Sequence, residues 1–145
     1  MELYTHHKKR FKLPAKKVFT IITIILVTLI GISSCAASNN AEKAPQVIED
    51  YLEGLVSKNV NQMITNSCAA WESEAKLEFD SFAAVETTLE NPNCQVSKQE
   101  EEFIVVSCSG VIIAGYGAED LIIELSERDY QLVNEGGQWR MCGYQ

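Results

Sequence analysis

Cysteine and histidine are the residues whose chemistry this sequence constrains most. The 145 residues contain five cysteines and two histidines, and both histidines, His6 and His7, lie near the N-terminus. No C-x-x-C pair is present, whereas zinc sites are typically built from cysteine and histidine ligands at such short spacings. We therefore predict no metal site and no cofactor, and we expect the cysteines to be modified or paired with one another.

The segment that ends at Cys35 predicts where the protein is placed. Six lysine or arginine residues precede an uncharged run, Val18–Ile32, and a basic segment followed by a short apolar one is typical of a secretory signal peptide. The next residues, Ile32-Ser33-Ser34-Cys35, resemble the lipobox of bacterial lipoproteins. The resemblance implies cleavage after Ser34, diacylglycerol on the Cys35 sulfur, and a domain outside the cytoplasm, anchored to the cell membrane or the outer membrane.

An uncleaved transmembrane anchor is the alternative reading of this segment. A helix needs about 20 apolar residues to cross the hydrocarbon of a bilayer, and the run before Cys35 is shorter. We therefore predict that residues 1–34 are a removed signal peptide. Residues 35–44 would then be the lipidated cysteine with a flexible tether, and residues 45–145 a single folded domain.

Removal of the leader leaves a strongly acidic chain. Residues 35–145 contain 6 lysine and arginine residues and 19 aspartate and glutamate residues, which gives a net charge of −13. Such a surface repels phosphate backbones, so we exclude nucleic acid as a partner. The same residues contain no histidine, which excludes Ser-His and Cys-His nucleophilic catalysis and a His-Asp base.

Helical periodicity dominates the first part of the predicted domain. Pro45 suits the first turn of a helix, and apolar residues recur at helical spacing as far as Val56. Asn59 followed by Gln62 is the pattern of a capping pair for a short helix over residues 60–65.

A third helical segment is predicted between Cys68 and Leu89, where apolar and acidic residues mix at helical spacing. Ser81 is expected to cap its last piece, Phe82–Leu89. Asn91-Pro92-Asn93 is expected to end it.

After Cys94 the apolar period changes to two, which is typical of strands. We predict four strands: Cys94–Lys98, Phe103–Tyr116, Leu121–Val133 with an interruption near residues 126–129, and Gln138–Tyr144. One parity of the second strand is apolar and is expected to face the core: Ile104, Val106, Cys108, Ile112, Ala114 and Tyr116. Helices followed by an antiparallel sheet predict an α+β fold.

The four cysteines of an exported domain predict two disulfides, for which three connectivities are open. If the first hairpin is symmetric about its turn, Cys94 faces Cys108 on the neighbouring strand. Cys68 and Cys142 are then the remaining pair, which would join the helical part to the last strand.

Three features of the sequence together resemble a known family: a Pro-initiated helical segment containing VIEDYLEGLVSKNVNQM, a long bent strand and a final EGGQWRMCGY strand. The layout from Ala44 to Gln145 is similar to the nuclear-transport-factor-two-like superfamily. The resemblance implies a cone, in which a curved antiparallel sheet wraps around the helices, and it suggests homodimerisation through the sheet. Members include isomerases, polyketide cyclases and non-catalytic binding modules, so the likeness alone selects no activity.

The candidate site residues are aromatic and acidic. We expect four aromatic residues to line any pocket inside the cone: Tyr51, Trp71, Tyr116 and Tyr130. Four acidic residues around Trp71 are predicted to form a solvated helix face: Glu72, Glu74, Glu78 and Asp80.

Three functions fit these observations. The first is a lipid-anchored, non-catalytic module that binds an envelope protein or a small apolar ligand and contacts the membrane only through Cys35. The second is an isomerase or dehydratase with one carboxylate base. The third is a protective lipoprotein that neutralises a basic partner through its acidic surface.

Overall fold

A computed structural model describes residues 41–145. The predicted signal peptide, Cys35 and most of the predicted tether lie outside the described residues. Within residues 41–145, no helix is long and apolar enough to cross a membrane. The described chain begins with a 3-10 turn, Ala41–Lys43, and Ala44 is fully buried.

Three helices follow this turn: α1 (Ala44–Val56), α2 (Val60–Thr65) and α3 (Glu72–Phe82). Pro45 lies in the first turn of α1, as its missing N–H favours. Asn59 caps α2 as predicted, because its side-chain oxygen accepts a hydrogen bond of 3.1 Å from the Gln62 backbone N–H. The apolar stripe of α1 is buried, with Ile48 and Leu52 at 0% exposure.

The predicted helix over Phe82–Leu89 is wrong. Helix α3 ends at Phe82, and residues from Glu86 onward form the start of a long strand. Thr87 and Thr88 are β-branched and favour a strand, and this segment pairs with the far half of the next strand. The Asn91-Pro92-Asn93 segment does not end a helix, since it lies inside this strand at an irregularity of the pairing.

Five antiparallel strands form one curved sheet. They are β1 (Glu86–Gln99), β2 (Phe103–Tyr116), β3 (Glu119–Glu124), β4 (Asp129–Glu135) and β5 (Gln138–Tyr144). The order is β1-β2-β4-β5, with β3 paired to the far half of β2. The predicted third strand is thus two strands, because a 3-10 turn, Leu125–Glu127, interrupts it and redirects the chain.

The predicted register of the first hairpin is confirmed, since Cys94 lies opposite Cys108 and Val96 opposite Val106. Gly110 bends β2, with φ of +109°, beside the irregularity between Glu90 and Asn93. A side chain at Gly110 would place its Cβ 2.6 Å from the Glu90 carbonyl oxygen, so only glycine lets the two strands approach there.

Side chains fill the space between helices and sheet. Five of the six residues predicted to face inward on β2 are buried; Tyr116 is not and is 50% exposed. Tyr116 is the last residue of β2 and lies at the turn into β3. The largest fully buried side chains occupy the interior: Tyr51, Tyr130, Ile48, Leu52, Leu55, Met63, Ile104, Ile112, Leu125, Leu132, Met141 and Val106.

Candidate functional site

Glu78 is the centre of the most elaborate polar cluster in the described residues. It lies on α3, and its side chain is only 9% exposed. Ala75, three residues before Glu78, and Phe82, four residues after it, are buried, and helical spacing places Glu78 on the same face as both. The predicted solvated acidic face holds for Glu74 and Asp80, which are exposed, but it is wrong for Glu78.

Three donors from other parts of the chain reach the Glu78 carboxylate. The Tyr51 hydroxyl of α1 donates to Oε2 at 2.6 Å. Arg128, which precedes β4, donates from Nη1 to Oε1 at 3.0 Å, and the Tyr144 hydroxyl of β5 donates to the same oxygen at 3.2 Å. The carboxylate therefore joins the first and third helices to the last two strands through hydrogen bonds.

Arg128 completes this cluster with a ring contact. Its guanidinium carbon lies 4.3 Å from the centre of the Tyr144 ring, which is cation–π geometry. Burial alone would lower the pKa of Arg128, but electrostatic interaction with Tyr144 and Glu78 and the hydrogen bond to Glu78 raise that pKa overall. The guanidinium stays positive and balances the carboxylate beside it.

The tyrosines of the cluster are held as neutral donors. Burial raises the pKa of Tyr51, and the negative charge of Glu78 raises it further. Burial also raises the pKa of Tyr130 to about 12, with Arg128 opposing and Glu78 adding to the rise. Burial and the negative charge of Glu78 also raise the pKa of Tyr144. Each hydroxyl keeps its proton at neutral pH.

A disulfide positions the aromatic side of the cluster. Cys68, before α3, is bonded to Cys142 of β5, and the Cys68 backbone N–H also donates to the Met141 carbonyl at 2.8 Å. Trp71 follows three residues later and meets Tyr144 edge to face, with ring centres 5.8 Å apart. The Trp71 Nε1 atom and the Tyr130 hydroxyl are buried without a hydrogen-bond partner of good geometry among the described residues.

An open groove of about 440 Å³ runs beside the cluster. Its lining combines acidic, aromatic and aliphatic side chains with one guanidinium: Trp71, Glu74, Leu77, Glu78, Ser81, Phe82, Arg128 and Tyr144. Leu77 is 64% exposed on its rim. The groove is open and exposes polar and apolar surface in similar amounts.

The structure brings together three of the four predicted pocket residues. Tyr51 and Tyr130 are fully buried beside Glu78, and Trp71 lines the groove. Tyr116 is separate from them and lines a shallow surface pocket with Glu119, Asp120 and Leu121. Its prediction as an interior residue is therefore wrong.

Two residues of the cluster, Arg128 and Tyr144, were missed by the sequence reasoning, and Glu78 was assigned to the wrong environment. The helical spacing of Trp71, Ala75, Glu78 and Phe82 was the available signal for Glu78, because it puts the carboxylate on the apolar face. No comparable local signal marks Arg128, which is contributed by the turn that splits the predicted third strand.

Both disulfides expected from the hairpin argument, Cys94–Cys108 and Cys68–Cys142, are present in the structure. Among residues 41–145, no group of three histidine, cysteine, aspartate or glutamate side chains is placed to hold a metal ion. The Glu78 carboxylate already accepts hydrogen bonds from three donors.

No protein-family model and no curated protein sequence matches this chain. Among solved structures, the chain is similar to a proposed polyketide cyclase from Xanthomonas campestris pv. campestris. The identity is 9% and the TM-score 0.50, over 72% of this chain and 92% of that one. A SEC-C motif protein from Rhodopseudomonas palustris matches with 8% identity and a TM-score of 0.47, over 68% of this chain and 74% of that chain. The first likeness shows a shared fold, of the type that the resemblance implied.

Proposed function

We propose that this chain is a lipid-anchored domain, displayed outside the cytoplasm, that binds a partner through its surface and carries out no reaction in its interior. The observation that carries the proposal is the state of that interior. The space between helices and sheet holds fully buried side chains, and the carboxylate that turns inward, Glu78, already accepts from Tyr51, Arg128 and Tyr144. A general base needs a free acceptor that faces its substrate.

The disulfides and the leader support the location. Disulfides persist in oxidising compartments outside the bacterial cytoplasm, and the domain contains two of them. The signal-peptide pattern and Cys35 supply a route to such a compartment and an anchor there. The acidic surface, with a net charge of −13 over residues 35–145, supports a partner other than nucleic acid.

The experiment for the anchor is metabolic labelling of the full chain in a bacterial host with an alkyne fatty acid. We expect the wild type to be labelled and the Cys35→Ser variant to remain unlabelled. We also expect added protease to reach the domain in cells whose outer layer is opened. Cys68→Ser is the matched control, since it also replaces one cysteine by serine, outside the lipobox, and should keep the label. A wild-type chain without label, or a domain protected inside the cytoplasm, would overturn the proposal.

A second candidate is an isomerase or dehydratase that uses Glu78 as its base. It is favoured by one observation: Glu78 lines an open groove together with Leu77, Phe82 and Tyr144. Its test is deuterium exchange, in heavy water, at the carbons next to the carbonyl of small apolar ketones. Exchange that the wild type accelerates and Glu78→Gln abolishes would establish it, and equal rates with and without protein would exclude this chemistry for those ketones.

A further inference from the structure

The face of the sheet that points away from the helices carries an apolar patch with acidic corners. On β2, Ile112 and Ala114 are fully buried against the helices, so Val111 and Ile113 point to the opposite face. Ile113 is paired with Thr88 of β1 on one side and with Ile122 of β3 on the other. Val111, Ile113 and Ile122 form what we term the outer patch, in which Ile122 is 59% exposed.

The register places a carboxylate at each corner of the outer patch. Val111 lies between Glu90 and Glu124, and Gly115 lies between Glu86 and Asp120. An added Cβ at Gly115 would lie 3.6 Å from Asp120 Oδ1, which shows that this carboxylate lies over the glycine. None of the four carboxylates belongs to an ion pair of the described chain.

Strand β3 also presents a free edge beside the outer patch. Within residues 41–145 it pairs with β2 alone, so the backbone groups on its other side have no neighbouring strand. Leu121 and Ile122, at the middle of β3, are 50% and 59% exposed. An exposed apolar edge is a template for an added strand, which natural proteins usually block unless it is used.

We propose that an extended, cationic segment of a partner protein pairs antiparallel with β3. The inference rests on the proposed function, because it names the surface and the partner chemistry of that binding module. The sequence of β3, Glu119 to Glu124, has acidic residues at both ends and three apolar residues between them. Its antiparallel complement reads basic, apolar, apolar, apolar, basic, basic, with each charge opposite a carboxylate of β3.

A second copy of this chain is a poorer occupant of the same edge. Antiparallel pairing of two β3 strands would set Glu119 of one copy opposite Glu124 of the other, and parallel pairing would set each carboxylate opposite itself. Like charges directly opposite one another destabilise a strand pair. Charge therefore selects a basic partner over self-association.

The test is the binding of a fluorescent, capped hexapeptide, KVIVKK, to the full chain purified in detergent, followed by anisotropy. Expected is saturable binding that weakens with salt and that is absent for the peptide EVIVEE. The substitutions Asp120→Asn, Ile122→Lys and Glu124→Gln together are expected to weaken binding by about tenfold or more, because they remove two charge pairs and one apolar contact. The matched control is Glu100→Gln, Glu101→Gln and Glu102→Gln, which removes three charges from the β1–β2 turn and is expected to change binding by less than about twofold.

Amide shifts in NMR spectra of the isotope-labelled full chain locate the peptide. Shifts concentrated on residues 119–124 support the proposal. Equal loss of binding in the β3 variant and the control variant would overturn it, since the attraction would then be one of total charge. Dimers that the β3 substitutions abolish would also overturn it, in favour of a second copy. These results are independent of lipid on Cys35, so a failure here leaves the anchored module standing.

Discussion

At the scale of single residues, the candidate site depends on the ion pair between Glu78 and Arg128. Their side chains are 9% and 22% exposed, so the pair is largely removed from water. Breaking such a pair leaves one charge without its partner, which costs more than the loss of a surface ion pair. The pair is therefore both a structural tie between α3 and β4 and the charged wall of the groove.

We predict that Glu78→Gln lowers the free energy of unfolding by about 2 kcal/mol, because Arg128 loses its counter-charge in a mostly buried setting. Urea unfolding followed by tryptophan fluorescence measures this change. Glu74→Gln is the control, since it removes an exposed carboxylate of the same helix and is expected to change stability by less than about 0.5 kcal/mol. Equal effects of the two substitutions would show that Glu78 is no more than a surface residue.

Alkaline pH tests the environment of the tyrosines. The pKa of Tyr130 is about 12 in the folded chain and 10.0 without its environment, so folding holds that proton more tightly. Its contribution to stability is complete below pH 10 and is lost as the pH rises toward 12, at up to about 1.4 kcal/mol per pH unit. We predict that the urea midpoint falls over this window less steeply in Tyr130→Phe than in the wild type.

Tyr116→Phe is the control for this pH dependence, because Tyr116 is half exposed. It is expected to follow the wild-type curve. A Tyr130→Phe curve parallel to the wild type would contradict the folded-state pKa of Tyr130.

At the scale of elements, the long hairpin β1–β2 sets the shape of the sheet. Its register was predictable, since two cysteines and alternating apolar residues fix which side chains face each other. The beginning of β1 was not predictable from local pattern, because the sequence of Phe82–Leu89 is equally compatible with a helix. Its strand conformation depends on pairing with residues 112–115 of β2, which lie far along the chain. Arg128 was not predictable for the same reason, because its partner Glu78 is 50 residues away in the sequence.

The bend of this hairpin gives an element-scale prediction. We expect Gly110→Ala to lower the free energy of unfolding by about 2 kcal/mol or more, because φ is +109° and the new Cβ would lie 2.6 Å from the Glu90 carbonyl. Gly117→Ala is the comparison: φ is +71° there and nothing lies within 4 Å of the added carbon, so a cost of roughly 1 kcal/mol is expected. Chemical denaturation measures both, and equal costs would argue against the close approach of the two strands.

One local and one distant disulfide cross-link residues 41–145, the part of the molecule that the structure describes. Cys94–Cys108 closes a hairpin, with a sequence separation of 14, whereas Cys68–Cys142 spans a separation of 74 and ties the helices to β5. In the chain-entropy account the longer loop stabilises more, by about 4.5 against about 3 kcal/mol. The distant bond is also the one that positions Trp71 against Tyr144.

We predict that Cys68→Ala with Cys142→Ala destabilises the protein more than Cys94→Ala with Cys108→Ala, and that the first pair of substitutions alone shifts the fluorescence of Trp71. Thermal unfolding and emission spectra of the two double variants measure this. Larger destabilisation from loss of the hairpin bond would contradict the assignment of Cys68–Cys142 as the tie between the two halves.

At the scale of the whole molecule, we propose an anchored, exported domain that works through its surface. Intact mass spectrometry of the protein extracted from bacterial membranes tests it most directly. We predict a chain that begins at Cys35, carries diacylglycerol on that residue, and lacks four hydrogens because of its two disulfides. A mass equal to the unmodified chain of 145 residues, with five thiols that react with alkylating reagent, would contradict it.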